Sequence, residues 1–232
     1  NTAHFYIQEH DYFNDVSSWK FAALSSLHVD YGNLDTGELL FLAKVTPHLK
    51  SLTLKFMSLE LMPADEWRSL RHLELTNCNI SEESWPNLAL LKSLQLFGNG
   101  RFVTSATLKN VADNCINLTT LALQCADVSN DDLRYLLKHC PKLTELYLIL
   151  FNITLLTLQT ICKSCPLLSK LHLPCNYITE KGLLWYARRC SGNLKYVEYT
   201  TSFVKWATAG VDTVKEVFEQ KGVALVEPSS RW

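Results

Sequence analysis

Cys162 and Cys165 stand with two residues between them and His172 and Cys175 close behind, a spacing with the look of half a zinc site. A structural zinc takes four ligands, usually as two such pairs, so the four residues make a conceivable cluster. His139 and Cys140, with Asp131 or Asp132 nearby, invite comparison with a nucleophile, its base and an orienting carboxylate. Neighbouring residues on a helix point to different sides, so His139 is badly placed to activate Cys140. Gly98-Asn99-Gly100 is too short for a phosphate-cradling loop and lacks the Gly-Lys-Ser/Thr ending. Asn79-Ile80-Ser81, Asn117-Leu118-Thr119 and Asn152-Ile153-Thr154 match the glycosylation sequon, and a secreted chain is the alternative they carry.

The cysteines have a simpler explanation. Cys115, Cys140, Cys165 and Cys190 recur every 25 residues. Each is followed by one apolar phrase, spelled Leu118-Thr119-Thr120-Leu121-Ala122-Leu123 at its first appearance and ending as Leu194-Lys195-Tyr196-Val197-Glu198-Tyr199. The same phrase occurs upstream from Leu24, Leu49, Leu70 and Leu91, and again from Leu143 and Leu168. The eight phrases are separated by steps of 25, 21, 21, 27, 25, 25 and 26 residues. A period of this length marks a stack of similar units, each burying its apolar side against its neighbours. Cysteines on the beat are then buried, reduced thiols, which suits the cytoplasm or nucleus. Cys165 becomes a helix-end core residue and Cys162 its neighbour.

Within a phrase the Leu-x-Leu centre alternates as a short strand with one buried face does. Behind several phrases come helix starts: Ile80-Ser81-Glu82-Glu83, Val128-Ser129-Asn130-Asp131-Asp132, Ile153-Thr154 and Ile178-Thr179-Glu180. The hydroxyl caps the helix, the acids suit its positive end, and the apolar residue before the cap staples the first turn. The helices carry one apolar face each: Leu133, Leu136 and Leu137; Leu158, Ile161 and Cys162; Leu183, Leu184 and Ala187. They end at the periodic cysteine, with Pro141 or Pro166 just beyond. The two 21-residue steps leave little room for a helix, so a short turn or extended chain is expected at residues 63–67 and 82–88.

These features predict an α/β fold, a right-handed repeat solenoid in a horseshoe arc with parallel strands inside and helices outside. The repeat domain spans residues 21–226, with about eight repeats, a capping helix carrying Val211, Val214, Val217 and Phe218 up to Gly222, and a last strand at 223–226. Residues 1–20 hold aromatic residues but no phrase and are expected to cap the array or lead from a missing domain; residues 227–232 form a tail. The chain opens on Asn1 rather than Met, which reads as a processed product or a fragment.

The span from residue 24 to about 226 resembles the cysteine-containing leucine-rich repeats. Leu143-Thr144-Glu145-Leu146-Tyr147-Leu148, then Ile153-Thr154, Leu158 and Cys165-Pro166, follows that family's rhythm. Cys78, Asn99 and Asn176 fall three residues past a phrase, where such repeats bond the turn backbone; Ala126 and Phe151 depart from the pattern there. The resemblance implies an F-box protein, the substrate receptor of a cullin–RING (SCF-type) ubiquitin ligase. A Skp adaptor and cullin would be partners only if an F-box lies upstream, since residues 1–20 show none. A scaffold or assembly factor without a ubiquitin link is the alternative, and a small enzyme site on the array a distant third.

In the repeat grammar the phrase leucines point inward and the residues between them point to the concave face. One column reads His28, Thr53, Glu74, Gln95, Ala122, Tyr147, His172 and Glu198; the next reads Asp30, Lys55, Thr76, Phe97, Gln124, Ile149, Pro174 and Thr200. Phe97, Tyr147 and Ile149, with Phe151 past the rim and Gln124 and His172 beside them, are the candidate contacts for a protein substrate. Alternatively, these apolar side chains pack under loops or the C-terminal tail. No catalytic residue, metal or cofactor is assigned. With a net charge of -1 and a pI near 6.7, nothing calls for nucleic acid or an anionic membrane. No apolar run is long enough to span a bilayer.

Overall fold

The computed structural model describes residues 2–6, 21, 23–30, 35–59, 62–63, 65–80, 88–98, 103–124, 128–149, 154–174, 178–199 and 208–226, with the backbone alone for 2–6, 208, 209 and 211. The strands are β1 (Thr2–Tyr6), β2 (Ser26–Asp30), β3 (Ser51–Lys55), β4 (Ser58–Leu59), β5 (His72–Thr76), β6 (Asn79–Ile80), β7 (Ser93–Phe97), β8 (Thr120–Gln124), β9 (Glu145–Ile149), β10 (Lys170–Leu173), β11 (Tyr196–Tyr199) and β12 (Ala224–Val226). The helices are α1 (Thr36–Val45), α2 (Ser105–Asn114), α3 (Asn130–His139), α4 (Leu155–Ser164), α5 (Glu180–Arg189) and α6 (Thr208–Gln220). The fold is α/β. Ten strands form one sheet in the order β1-β2-β3-β5-β7-β8-β9-β10-β11-β12, every pair parallel, and β4 pairs with β6 beside it. Apart from that small pair, each strand therefore joins the strands before and after it in the chain. Helices α2 to α6 likewise pack each on the next.

The phrase explains this register. In β3, β5, β7 and β9 the two leucines are buried while the residues around them are not. Leu52, Leu73, Leu94, Leu121 and Leu146 are register partners across five strands, and Leu171 and Val197 continue the row. They share one core cluster with the helix faces. Burying each such leucine is worth about 2 kcal/mol, and a slip of one residue would turn the whole row outward. The N–H groups entering each strand extend the ladder, from Lys50 to Ser25 O (2.9 Å) through Thr144 to Thr119 O (2.8 Å) to Ala224 to Lys195 O (2.8 Å). Hydroxyls reinforce it where the sequence offers them: Thr119, Thr144 and Ser169 each donate to the preceding unit's carbonyl.

The expected helix starts are in place. Ser129, Thr154 and Thr179 accept from the backbone N–H three residues on, as do Asp35 and Thr104, which the sequence pattern did not single out. All but Thr179 form reciprocal capping boxes. Ile178, ahead of its cap, is buried; Ser81 lies outside the described residues. Leu133, Leu136, Leu137, Leu158, Ile161, Leu183 and Ala187 are buried as expected, whereas Cys162 and Leu184 are half-buried, and Tyr186 joins the core.

Cys115, Cys140, Cys165 and Cys190 each occupy the C-terminal cap of a helix. All four are buried and none is in a disulfide. Ahead of the second, third and fourth phrases the same place is taken by Thr46, Trp67 and Leu88, whose carbonyls accept from the first phrase leucine as those of Cys115, Cys140 and Cys165 do. Thr46 is fully buried, donates to Leu42 O at 2.7 Å and accepts from Trp67 Nε1 at 3.1 Å, so two units are tied by one hydroxyl. Around the 21-residue steps the chain makes turns near residues 65–69 and the short strands β4 and β6; residues 81–87 lie outside the described set. Cys78 donates from Sγ to Leu54 O at 3.3 Å, the turn bond expected of its position, while Asn99 and Asn176 are not among the described residues.

The N-terminal segment supplies the first strand of the sheet. Thr2–Tyr6 carries no phrase, yet it pairs with β2 in full register, Ala3 opposite Leu27 and Phe5 opposite Val29, so the sheet begins before residue 21. A strand needs alternation and a neighbour, and a leucine spelling is only one way to meet that. Helix α6 ends as foreseen: Gly222 has φ +68°, Gly222 N–H donates to Glu219 O and Val223 N–H to Phe218 O, the bonds that close a helix through a left-handed glycine.

Candidate functional site

Because the leucine rows face the helices, the columns between them line the other face of the sheet. The register is the one the spacing predicted: His28, Thr53, Glu74, Gln95, Ala122, Tyr147, His172 and Glu198 are successive partners, and so are Asp30, Lys55, Thr76, Phe97, Gln124 and Ile149. Over β5 to β11 this face holds a concavity of about 770 Å³. Phe97, Tyr147 and Ile149 line it together with Gln124, Ala122, Pro174, Glu145 and Glu198. Phe97, Gln124, Tyr147 and Ile149 are each half-buried, accessible on one side and seated on the other. Phe151 lies outside the described residues.

His172 does not behave as expected. It was predicted to be an accessible contact, but it is 7% exposed, its ring stacked on Tyr147 with centroids 3.7 Å apart and planes 12° from parallel. Its Nδ1 lies 2.5 Å from Glu198 Oε2 and its Nε2 3.6 Å from Glu145 Oε1, and Tyr196 tilts against its other side at 5.0 Å. The cause is the column itself: parallel strands about 4.8 Å apart set Tyr147 and His172 on consecutive rungs, near the stacking distance of two rings. His172 therefore holds Tyr147 upright and offers little surface of its own.

The Tyr147 hydroxyl donates to Glu145 Oε1 at 2.7 Å, and Lys170 Nζ reaches the same oxygen at 3.3 Å. Burial alone would raise the Glu145 pKa, but the bonds from Tyr147 and Lys170 outweigh it and hold the carboxyl below its usual range. Burial and the Glu145 carboxylate push Tyr147 well above an ordinary phenol, so it stays a donor. In the sequence Glu145 and Glu198 look like ordinary strand surface. The signal available was the register, which puts Tyr147 and His172 in line with Glu198, and Glu145 two residues before Tyr147 on its own strand and diagonal to His172.

Among the described residues, those with the spacing for chemistry are not brought together. His139 is exposed, with Nδ1 at 2.8 Å from Tyr135 O, while Cys140 is sealed in the core. Cys165 is in the core and Cys162 donates to Arg189 O at 3.1 Å; His172 lies across the sheet on the open face, and Cys175 is outside the described residues. Among the described residues no three His, Cys, Asp or Glu side chains converge as metal ligands would. Burial pushes the thiols of Cys115, Cys140 and Cys165 up to about 12, leaving them poor nucleophiles. Asn117, in one of the sequons, spends its side chain on Ala89 O and Lys142. No described helix is long and apolar enough to cross a membrane. No protein-family model matches the chain, and no curated protein does.

Proposed function

We propose that the chain is a right-handed leucine-rich-repeat solenoid that acts as a non-catalytic protein-binding module, and that its role is substrate recognition in an SCF-type ubiquitin ligase of the cytoplasm or nucleus. The observation that carries the binding role is the half-buried apolar set Phe97, Tyr147 and Ile149 around one concavity on the open sheet face. Anchors that are seated at the base and open at the tip are the form that interface hot spots take. The ligase role rests on the resemblance of the phrases and the Cys-Pro helix ends to the repeats of F-box proteins. In it the open face holds the substrate and an upstream F-box holds the Skp adaptor.

Two measurements test this. The full-length protein is expected to co-purify with the Skp adaptor; its failure to do so leaves a scaffold or assembly factor. Tyr147→Ala together with Phe97→Ala is expected to weaken partner recovery at least tenfold without unfolding the array in a thermal melt, since a buried aromatic anchor contributes about 2 kcal/mol or more. An unchanged recovery refutes the site, and a collapsed melt shows the two side chains to be core.

A further inference from the structure

We infer that the end of the sheet where its strands begin is a surface that rests on an anionic lipid leaflet, with Leu90, Ile116 and Leu167 dipping into the apolar boundary and a row of cations on the headgroups. This goes beyond the docking face proposed above and does not depend on it.

A net charge of -1 averages over charges that the fold sorts. Seven turns lead into β3, β5, β7, β8, β9, β10 and β11. Each is closed by a bond from the first phrase leucine to the carbonyl three residues before it, as from Leu91 to Leu88 O at 2.8 Å and from Leu168 to Cys165 O at 3.2 Å. These strands follow one another in the sheet, so their turns form a row, roughly 29 Å long at about 4.8 Å per strand. The two tip residues of each turn and the residue after the leucine make up this edge. The chain has 23 acidic residues and none occupies these positions, whereas Lys50, Arg68, Arg71, Lys92, Lys142 and Lys195 do. Among the described residues the only ion pair these six make is Arg68 with Asp65, at 3.9 Å and well exposed to water. Helix dipoles do not account for them. Lys44, Lys138 and Lys163 answer the negative helix ends behind the turns, while the six lie outside every helix.

The same tips are apolar where they are not basic. Ile116, Leu90 and Leu167, at 52%, 51% and 49%, are the three most exposed large hydrophobic side chains described, and all three stand on this one edge. The edge also satisfies polar groups within itself. Asn117 Nδ2 donates to Ala89 O at 2.7 Å and Asn193 Nδ2 to Pro166 O at 3.0 Å, while the Thr119, Thr144 and Ser169 hydroxyls bond the carbonyls of the unit before. Carbonyls paired in this way lose little when water thins at headgroup depth.

Separate aliphatic side chains on a long row of tips, with cations beside them, suit a soft, extended anionic surface better than a single pocketed anchor. Each Lys or Arg held near such a leaflet strengthens adsorption roughly fivefold.

The test is sedimentation of the purified chain with vesicles of phosphatidylcholine, alone or with about 30% phosphatidylserine. Binding is expected to the anionic vesicles only, and to fall as salt rises from about 0.1 M to 0.5 M. Lys50→Glu with Lys92→Glu is expected to weaken it at least tenfold, and Leu90→Ser with Ile116→Ser about tenfold, with the folded state of each checked by thermal melt. Leu167→Ser is the single variant to use should the serine pair lower the melt. No binding to the anionic vesicles, equal binding to the neutral ones, or binding that either kind of variant leaves unchanged overturns the inference. Binding to double-stranded DNA that exceeds binding to vesicles and survives the serine pair overturns it in favour of nucleic acid. Loss of vesicle binding in Tyr147→Ala with Phe97→Ala would move the contact to the docking face and overturn it as well; the docking face itself stands or falls on partner recovery alone.

Discussion

The on-beat cysteines offer a sharp experiment. Cys115, Cys140 and Cys165 are 2% exposed or less, and burial lifts their thiols from an ordinary 9.0 to about 12. At pH 8 that lowers the reactive thiolate about a thousandfold relative to the same residue in an unfolded chain. The perturbation is a pulse of iodoacetamide at pH 8, once in buffer and once in urea, with each cysteine's modification followed by peptide mass spectrometry. Each of the three is expected to react at least about a thousandfold more slowly in buffer, because ionisation must be added to the cost of opening the core. Cys162, half-buried at the helix surface, supplies the internal comparison and is expected to react ahead of them. Native rates within tenfold of the urea rates, or any of the three recovered in a disulfide, would refute the claim that the periodic cysteine is a core residue.

Other perturbations probe separate links. Leu121→Ala, at a fully buried rung with partners on both sides, is expected to cost about 2–5 kcal/mol in urea unfolding. Ser129→Ala removes the cap of α3 and the partner of Asp132, and about 1 kcal/mol is expected to be lost in the same assay. Gly222→Ala meets no neighbour within 4 Å, so a loss of about 1 kcal/mol in the same unfolding measurement would come from its left-handed backbone alone. The fold retains protons on Cys115, Cys140, Cys165 and Tyr186 that an unfolded chain gives up near their ordinary values. Stability is therefore complete below pH 9 and falls as pH rises toward 12, by up to about 1.4 kcal/mol per pH unit for each such group, and a flat urea midpoint between pH 8 and 10.5 would contradict it.

Much of the sheet was legible because its signal is repeated. Leu-x-Leu alternation set the strands, the step length set which strands meet, and so the two outward columns followed without any structural input. The helix ends were legible for the same reason, a hydroxyl or proline at a fixed offset. What escaped was spelled differently. Thr2–Tyr6 pairs without leucines, and Thr46 takes the place of a cysteine, its hydroxyl bonding Leu42 O as the Cys190 thiol bonds Ala187 O. At the site, hydrophobicity pointed to Phe97, Tyr147 and Ile149 but gave no weight to Glu145 and Glu198, which line the same concavity. His172 was misjudged because a column position tells which face a side chain occupies and not whether its neighbours will close over it. Tyr147 and Glu198 do close over it.

The chain-order pairing of the main sheet has a consequence for how such a molecule changes over generations. A duplication or deletion that begins and ends at equivalent cysteines hands every surviving strand a neighbour with the same spelling, so no rung is orphaned. Groove length can then vary in whole steps of about 4.8 Å, while the chemistry of the groove is edited one outward residue at a time. A lineage built this way changes its outward face without redesigning its interior.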